Sequence, residues 1–151
     1  MALTIENGTG IAGADSFVTL VEYADTQTDL FGAALDGTDV LKEAALRRAF
    51  LYLKSLTWKA DYPFPTLGGT IPADVKSAQA ILARYEEATP GGLQPTVVPG
   101  QQKVLTRVGE LSWTVMGQTG ADAQRAVVMM AADLLKPFVN DTGNTRFLAR
   151  A

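Results

Sequence analysis

Hydrophobic and polar positions along this chain fall into a helical period in three places, and capping signals add a fourth helix. The longest and cleanest runs from Asp39 to Leu56, where Leu41, Ala45, Ala49, Leu53 and Leu56 recur on one stripe at roughly 100° per residue, widened by Leu46 and Tyr52. Glu43, Arg47 and Lys54 gather on the opposite side, and Glu43 stands four residues before Arg47, a spacing suited to an ion pair. Thr38 or Asp39 caps this helix, which the pattern makes the spine of the core. Upstream, Thr19 and Glu22 have capping-box spacing, so a first helix is expected from Leu20 to Phe31, with Gly32 as its stop. Downstream, Pro72 and Asp74 open a helix to Glu87 that carries Val75, Ala78, Leu82 and Tyr85 on one face, with Ile81 beside them. The last helix runs from Ala121 to Lys136, where Pro137 stops it. Val127, Met130, Ala131 and Leu134 share one of its faces, flanked by Val128, Ala132 and Leu135. Apolar residues cover more than half of its circumference, as in a helix central to a fold or shared with a partner.

Two stretches depart from this period. In Trp58–Pro65 each proline pushes its predecessor out of the α region, and the pattern reads as a long loop pinned to the body by Trp58, Tyr62 and Phe64 rather than as a ligand platform. Residues 103–116 switch to short β-branched and aromatic runs around Gly109 and Glu110, a β-hairpin pattern. Val104, Thr106 and Val108 share a face of its first strand; Leu111, Trp113 and Val115 share a face of its second. A lone hairpin is marginal in water, so it needs the helices of its own chain or strands of a neighbour. At the other end, residues 3–6 alternate weakly and precede a turn-rich lead-in through Gly13. The expected fold is mainly α: a small bundle of about four helices with an inserted β-hairpin over residues 1–139, then an extended C-terminal arm over 140–151.

Composition narrows the chemistry. The 151 residues include no cysteine and no histidine, which removes disulfides, thiolate nucleophiles, Cys/His zinc sites and the commonest neutral-pH acid–base side chain. No enzyme, cofactor or metal constellation is expected. Asp25 and Asp29 could share a cation but read as an acidic solvent face. Glu86 and Glu87, unfavourable for the dipole at a helix end, suggest exposure or an intersubunit pair. Arg125 with Met129 and Met130 suggests adaptable packing rather than a cofactor pocket. The formal charge of −3 offers no global attraction to nucleic acid or anionic membrane, so any basic site must be local. Arg47, Arg48 and Lys54 form a phosphate-binding row or, with Glu43 among them, a solvated helix back. A single-strand DNA module would have to use Lys59, Lys103, Arg107 and Trp113. The start of the sequence shows no signal peptide and no run spans a bilayer, which implies synthesis in the cytosol without a membrane partner. In the arm, Arg146, Phe147, Leu148 and Arg150 compose either a frayed terminus or a basic, apolar docking peptide.

The order of Ala14–Asp25, then Lys42–Ala49 with Tyr52 and Leu53, then Ile71-Pro72 opening a helix with Val75, Lys76 and Ala78, resembles a family of tailed-bacteriophage proteins. That family is often labelled DnaT-like and is similar to the head–tail adaptors, or head-completion proteins, of long-tailed phages. The resemblance covers about Ile5 to Pro137. It implies a virion subunit assembled in the host cytoplasm into a homo-oligomeric ring, commonly dodecameric, beneath the portal protein. Such a ring prolongs the DNA channel without sequence-specific binding and presents a platform to a tail-completion, stopper or tail-terminator protein. By the same resemblance, Thr145, Arg146, Phe147, Leu148 and Arg150 would dock on the portal, and Glu43, Arg47, Arg48, Lys54 and Trp113 would lie between subunits. The alternative the label carries is a single-stranded DNA-binding or replication-restart module.

Overall fold

The computed structural model describes residues 2–94, 107–108, 111–112 and 128–140. Among them stand four helices, α1 (Leu20–Phe31), α2 (Asp39–Lys54), α3 (Ala73–Ala88) and α4 (Met129–Leu135). The molecule is mainly helical. Each of the first two helices starts where a side chain replaces a missing backbone acceptor. The Thr19 hydroxyl accepts from the Glu22 amide while the Glu22 carboxylate accepts from the Thr19 amide, and the Thr38 hydroxyl accepts from the Leu41 amide. Gly32, left-handed at φ 77°, ends α1 by donating its amide to the Thr28 carbonyl.

Packing puts α3, not α2, at the centre, because α3 touches each of the other three helices. Val75, the unbroken run Ala78–Ala83 and Glu86 are all buried, a wider arc than one amphipathic stripe. The alanines in that run let neighbouring helices approach closely. Tyr85, expected on the inner face, is 37% exposed, since the buried arc lies on the Gln79 and Ala83 side instead. On α2 the inward residues are Ala45, Leu46, Ala49, Phe50, Tyr52 and Leu53. This arc is turned toward Phe50, which leaves Leu41 on its rim at 56% exposure. Gly37 lies beside Glu87 and the Leu46 carbonyl beside Gln79, so α2 and α3 run antiparallel.

The proline-rich loop is pinned as its aromatics suggest. Phe64 packs against Phe17, Phe50 and Trp58 with ring centroids 5.6, 5.1 and 5.6 Å away, and Tyr62 meets Phe138 edge-on at 5.0 Å. The Trp58 indole donates to the Leu53 carbonyl, and Trp58 bridges Val139, with the Asn140 amide donating to Thr57. The chain after α4 is thereby fastened at the C-terminal end of α2. On α4 itself Ala131 and Leu135 are buried, whereas Met130, placed inward by the period, is 53% exposed beside an exposed Met129. Residues 121–127 of the expected helix, Arg125 and Val127 included, lie outside the described residues.

The helical body contains no strand among its described residues beyond the single bridges Ile5–Ser16 and Trp58–Val139. Of the expected hairpin, two residue pairs are described: β1 (Arg107–Val108) runs antiparallel to β2 (Leu111–Ser112), with Val108 opposite Leu111. So short a ladder does not support an inserted hairpin spanning 103–116, whose other residues, Lys103 and Trp113 among them, lie outside the described residues. So does the arm over 141–151.

Candidate interaction surfaces

Polar groups are buried where the chain enters the bundle. Glu6 is fully buried and its carboxylate accepts from the amides of Gly8 and Gly10, each at 2.8 Å, and of Ile11 at 2.7 Å. Burial by itself would raise this carboxyl, but the amides of Gly10, Gly8, Ile11 and Asn7 outweigh it and hold Glu6 below the usual carboxylate range. Gly8, at φ 103°, passes so close to the Gly69 carbonyl that a Cβ would collide with backbone there, which locks the turn against the 66–70 loop. Gln79 completes the junction from α3. Its carbonyl accepts from the Phe17 amide at 2.8 Å, and its amide donates to the Ser16 hydroxyl and the Leu46 carbonyl at 3.0 and 3.1 Å. These groups are occupied with holding the lead-in, α2 and α3 together; none is presented to a ligand.

The cations of α2 are also engaged within the chain. Arg47 pairs with Asp15 at 2.7 Å and with Glu43 at 3.5 Å, and donates to the Ala2 carbonyl. The hydrogen bond Arg47 donates to Asp15, then the charges of Asp15 and Glu43, hold the guanidinium pKa above its ordinary value despite partial burial. Arg48 pairs with Glu86 at 3.3 Å, although Glu86 itself is buried and accepts from the Gly91 and Leu93 amides. Glu86 is therefore a staple for the turn after α3, which corrects the expectation of an exposed helix end. Arg48, Leu51, Glu86 and Leu93 line an open groove of about 200 Å³. Lys54 is exposed at the end of α2, and Lys59 donates to the Pro137 carbonyl at 2.7 Å. The predicted intersubunit set is thus split by the structure. Glu43, Arg47 and Arg48 bind partners of their own chain, Lys54 faces out, and Trp113 lies outside the described residues, as do Thr145, Arg146, Phe147, Leu148 and Arg150.

A different surface stands at the corner where α1 leads into α2. Leu30 and Phe31 are 50% and 39% exposed, Val40 and Leu41 73% and 56%, and Asp36 and Asp39 are exposed between them. The corner is ordered from beneath. Gln27 accepts from the Leu35 amide at 2.9 Å, and Arg84 donates to Gln27 and the Ala33 carbonyl while stacking on the Phe31 ring at 4.4 Å. Tyr23 donates to Glu87 at 2.7 Å, and burial, with that acceptor, pushes its phenol well above the ordinary range. The other Glu87 oxygen is buried against Gly37 without a hydrogen-bond donor.

Among the described residues no group of three or more Asp or Glu is placed to hold a metal ion, and Asp25 and Asp29 are exposed on α1. No described helix is long and apolar enough to cross a membrane. The buried Glu6, Gln79 and Ser16 escaped sequence reasoning. For Glu6 a signal existed: an acid directly ahead of Asn7-Gly8-Thr9-Gly10, a run able to turn its amides toward one carboxylate.

Compared with known proteins, residues 1–63 match a family model described as "Putative DnaT-like ssDNA binding protein". The match takes in the lead-in, α1, α2 and the start of the aromatic loop, and stops before α3. No curated protein and no solved structure matches the chain.

Proposed function

We propose that this chain is a non-catalytic structural subunit of a tailed-phage neck, an adaptor that forms a ring beneath the portal, extends the DNA channel and carries the tail. The observation behind this reading is the combination of ordered, exposed apolar side chains at the α1–α2 corner and on α4 with cations already engaged inside the chain. Ordered apolar surface favours a protein partner, while a net charge of −3 suits a channel wall along which DNA slides without sticking. In this reading Lys54 and the outer edges of the Arg47 and Arg48 pairs face the neighbouring subunit, and Thr145–Arg150 engages the portal. Deleting Thr142–Ala151 is the direct test: portal attachment should be lost while the circular dichroism of the helical body is kept. Unchanged attachment removes the portal assignment.

A second reading, a single-stranded DNA-binding module, is favoured by the family match over residues 1–63, which speaks for it and not for the adaptor. The matched stretch weighs against it on charge: its cations are Lys42, Arg47, Arg48, Lys54 and Lys59, outnumbered by its acids, with Arg47 and Arg48 in ion pairs. Fluorescence anisotropy with a single-stranded oligonucleotide decides between them. Binding at physiological ionic strength that weakens steeply with added salt would establish the second reading.

A further inference from the structure

We infer that the α1–α2 corner is the receptor for the Thr145–Ala151 segment of a second copy of this chain. The corner joins four exposed apolar side chains, Leu30, Phe31, Val40 and Leu41, to two exposed carboxylates, Asp36 and Asp39. Of the cations near it, Arg84 is committed to Phe31, Gln27 and Ala33 from below and Lys42 is half-buried on α2, while the half-buried Glu87 carboxylate lies under the link, accepting from Tyr23. The ligand this surface fits is a short segment with two large apolar residues flanked by cations and free of acids. Thr145–Ala151 has that composition, with Arg146 and Arg150 on either side of Phe147 and Leu148.

Geometry makes the segment a neighbour's. The chain leaves the bundle at Asn140, whose amide is bonded to Thr57 just past the C-terminal end of α2. The corner lies at the opposite end of α2, ~24 Å away for a helix of sixteen residues. Five residues separate Asn140 from Arg146, and the seven Cα steps to Phe147 span ~25 Å at full extension. A copy's own corner therefore lies at the limit of its own stretched segment, with no slack left for packing, whereas a second copy can meet it freely. Receptor and ligand being different surfaces, the contact is heterologous, of the kind that closes a ring or grows a filament. It does not require a portal, and a portal that binds the same segment would compete with the corner for it.

The test uses the full-length protein in sedimentation velocity at micromolar concentrations. The wild-type chain should associate as concentration rises, and deletion of Thr142–Ala151 should leave a monomer with an unchanged helical spectrum. Asp36→Lys with Asp39→Lys on one chain, or Arg146→Glu with Arg150→Glu on another, should each weaken association about tenfold or more. Mixing the two variants should restore it, because the reversed corner now meets the reversed segment. A monomeric wild type, a deletion variant that associates as well as the parent, or a mixture no better than its components overturns the contact. A monomeric free chain would leave the adaptor reading standing, since a ring can also be nucleated by its portal, so the two failures are distinguishable.

Discussion

The lead-in through Ser16 and the corner from Leu30 to Leu41 invert the usual arrangement in opposite directions. The lead-in buries a carboxylate, a hydroxyl and, across from them, the Gln79 amide, while the corner turns four large apolar side chains to solvent. What separates the two is partnership. The buried carboxylate, hydroxyl and amide side chains meet donors or acceptors of their own chain at 2.7–3.1 Å, which offsets their loss of water, whereas the apolar side chains of the corner are 39–73% exposed. One region satisfies its polar groups within a single copy; the other exposes the apolar groups that our proposal assigns to a partner.

The largest blow to this contrast is Glu6→Ala. It strips three backbone amides of their acceptor and should cost ~3 kcal/mol of unfolding free energy, read as a shifted urea midpoint. A shift within experimental error would mean that the turn does not depend on its carboxylate. Next comes Gln79→Leu, which leaves the Phe17 amide without a partner in the core, and ~2 kcal/mol should be lost by the same measurement.

Acid titration separates the regions more gently. Glu6 and Glu22 both have folded pKa values below their ordinary 4.5. For Glu22, burial opposes the lowering, but the Thr19 amide and the Lys76 ammonium prevail. Both groups therefore contribute stability that is full above about 4.5 and is lost as pH falls through their folded values. Glu6→Gln should flatten that acid limb in unfolding curves recorded across pH; an unchanged limb would assign it to other carboxylates. The smallest effect on stability belongs to the corner. Val40→Ser, at a side chain 73% exposed, should move the unfolding midpoint by no more than ~0.5 kcal/mol while reducing self-association. A large stability loss would mean that the corner is packed within the single copy.

Helix starts and stops were legible because capping is local chemistry: Thr19, Glu22 and Thr38 accept from amides, and Gly32 donates to a carbonyl, within four residues of themselves. The aromatic loop was legible for a similar reason, since prolines forbid a helix and its aromatics have nowhere to go except the body. Periodicity failed where it equates polar with outside. Gln79 carries no apolar signal and Glu86 reads as exposed or intersubunit, yet each is buried by partners 33 or more residues distant or by the turn that follows. The rank of the helices was also hidden. The cleaner stripe belongs to α2, but centrality depends on how many neighbours a helix meets, and the small residues Ala78, Ala80 and Ala83 that permit close approach carry little hydrophobic contrast. At the candidate interaction surface, Leu41 looked like core because a stripe has no marked edge. Its neighbours Leu30 and Phe31 end a different helix, so no single periodic pattern could have joined them.

The central place of α3 bears on the order of events during synthesis. When the ribosome has delivered the lead-in, α1 and α2, Phe17 can already meet Phe50, but the larger surface those elements close upon belongs to α3, which begins at Ala73. Leu46 and Leu53 join the shared core only once α3 clears the exit tunnel. Residues 1–63, the stretch the family model matches, lack the helix that closes their core, and ribosome-stalled chains should turn protease-resistant only after the length that frees Glu86 and the turn it fastens.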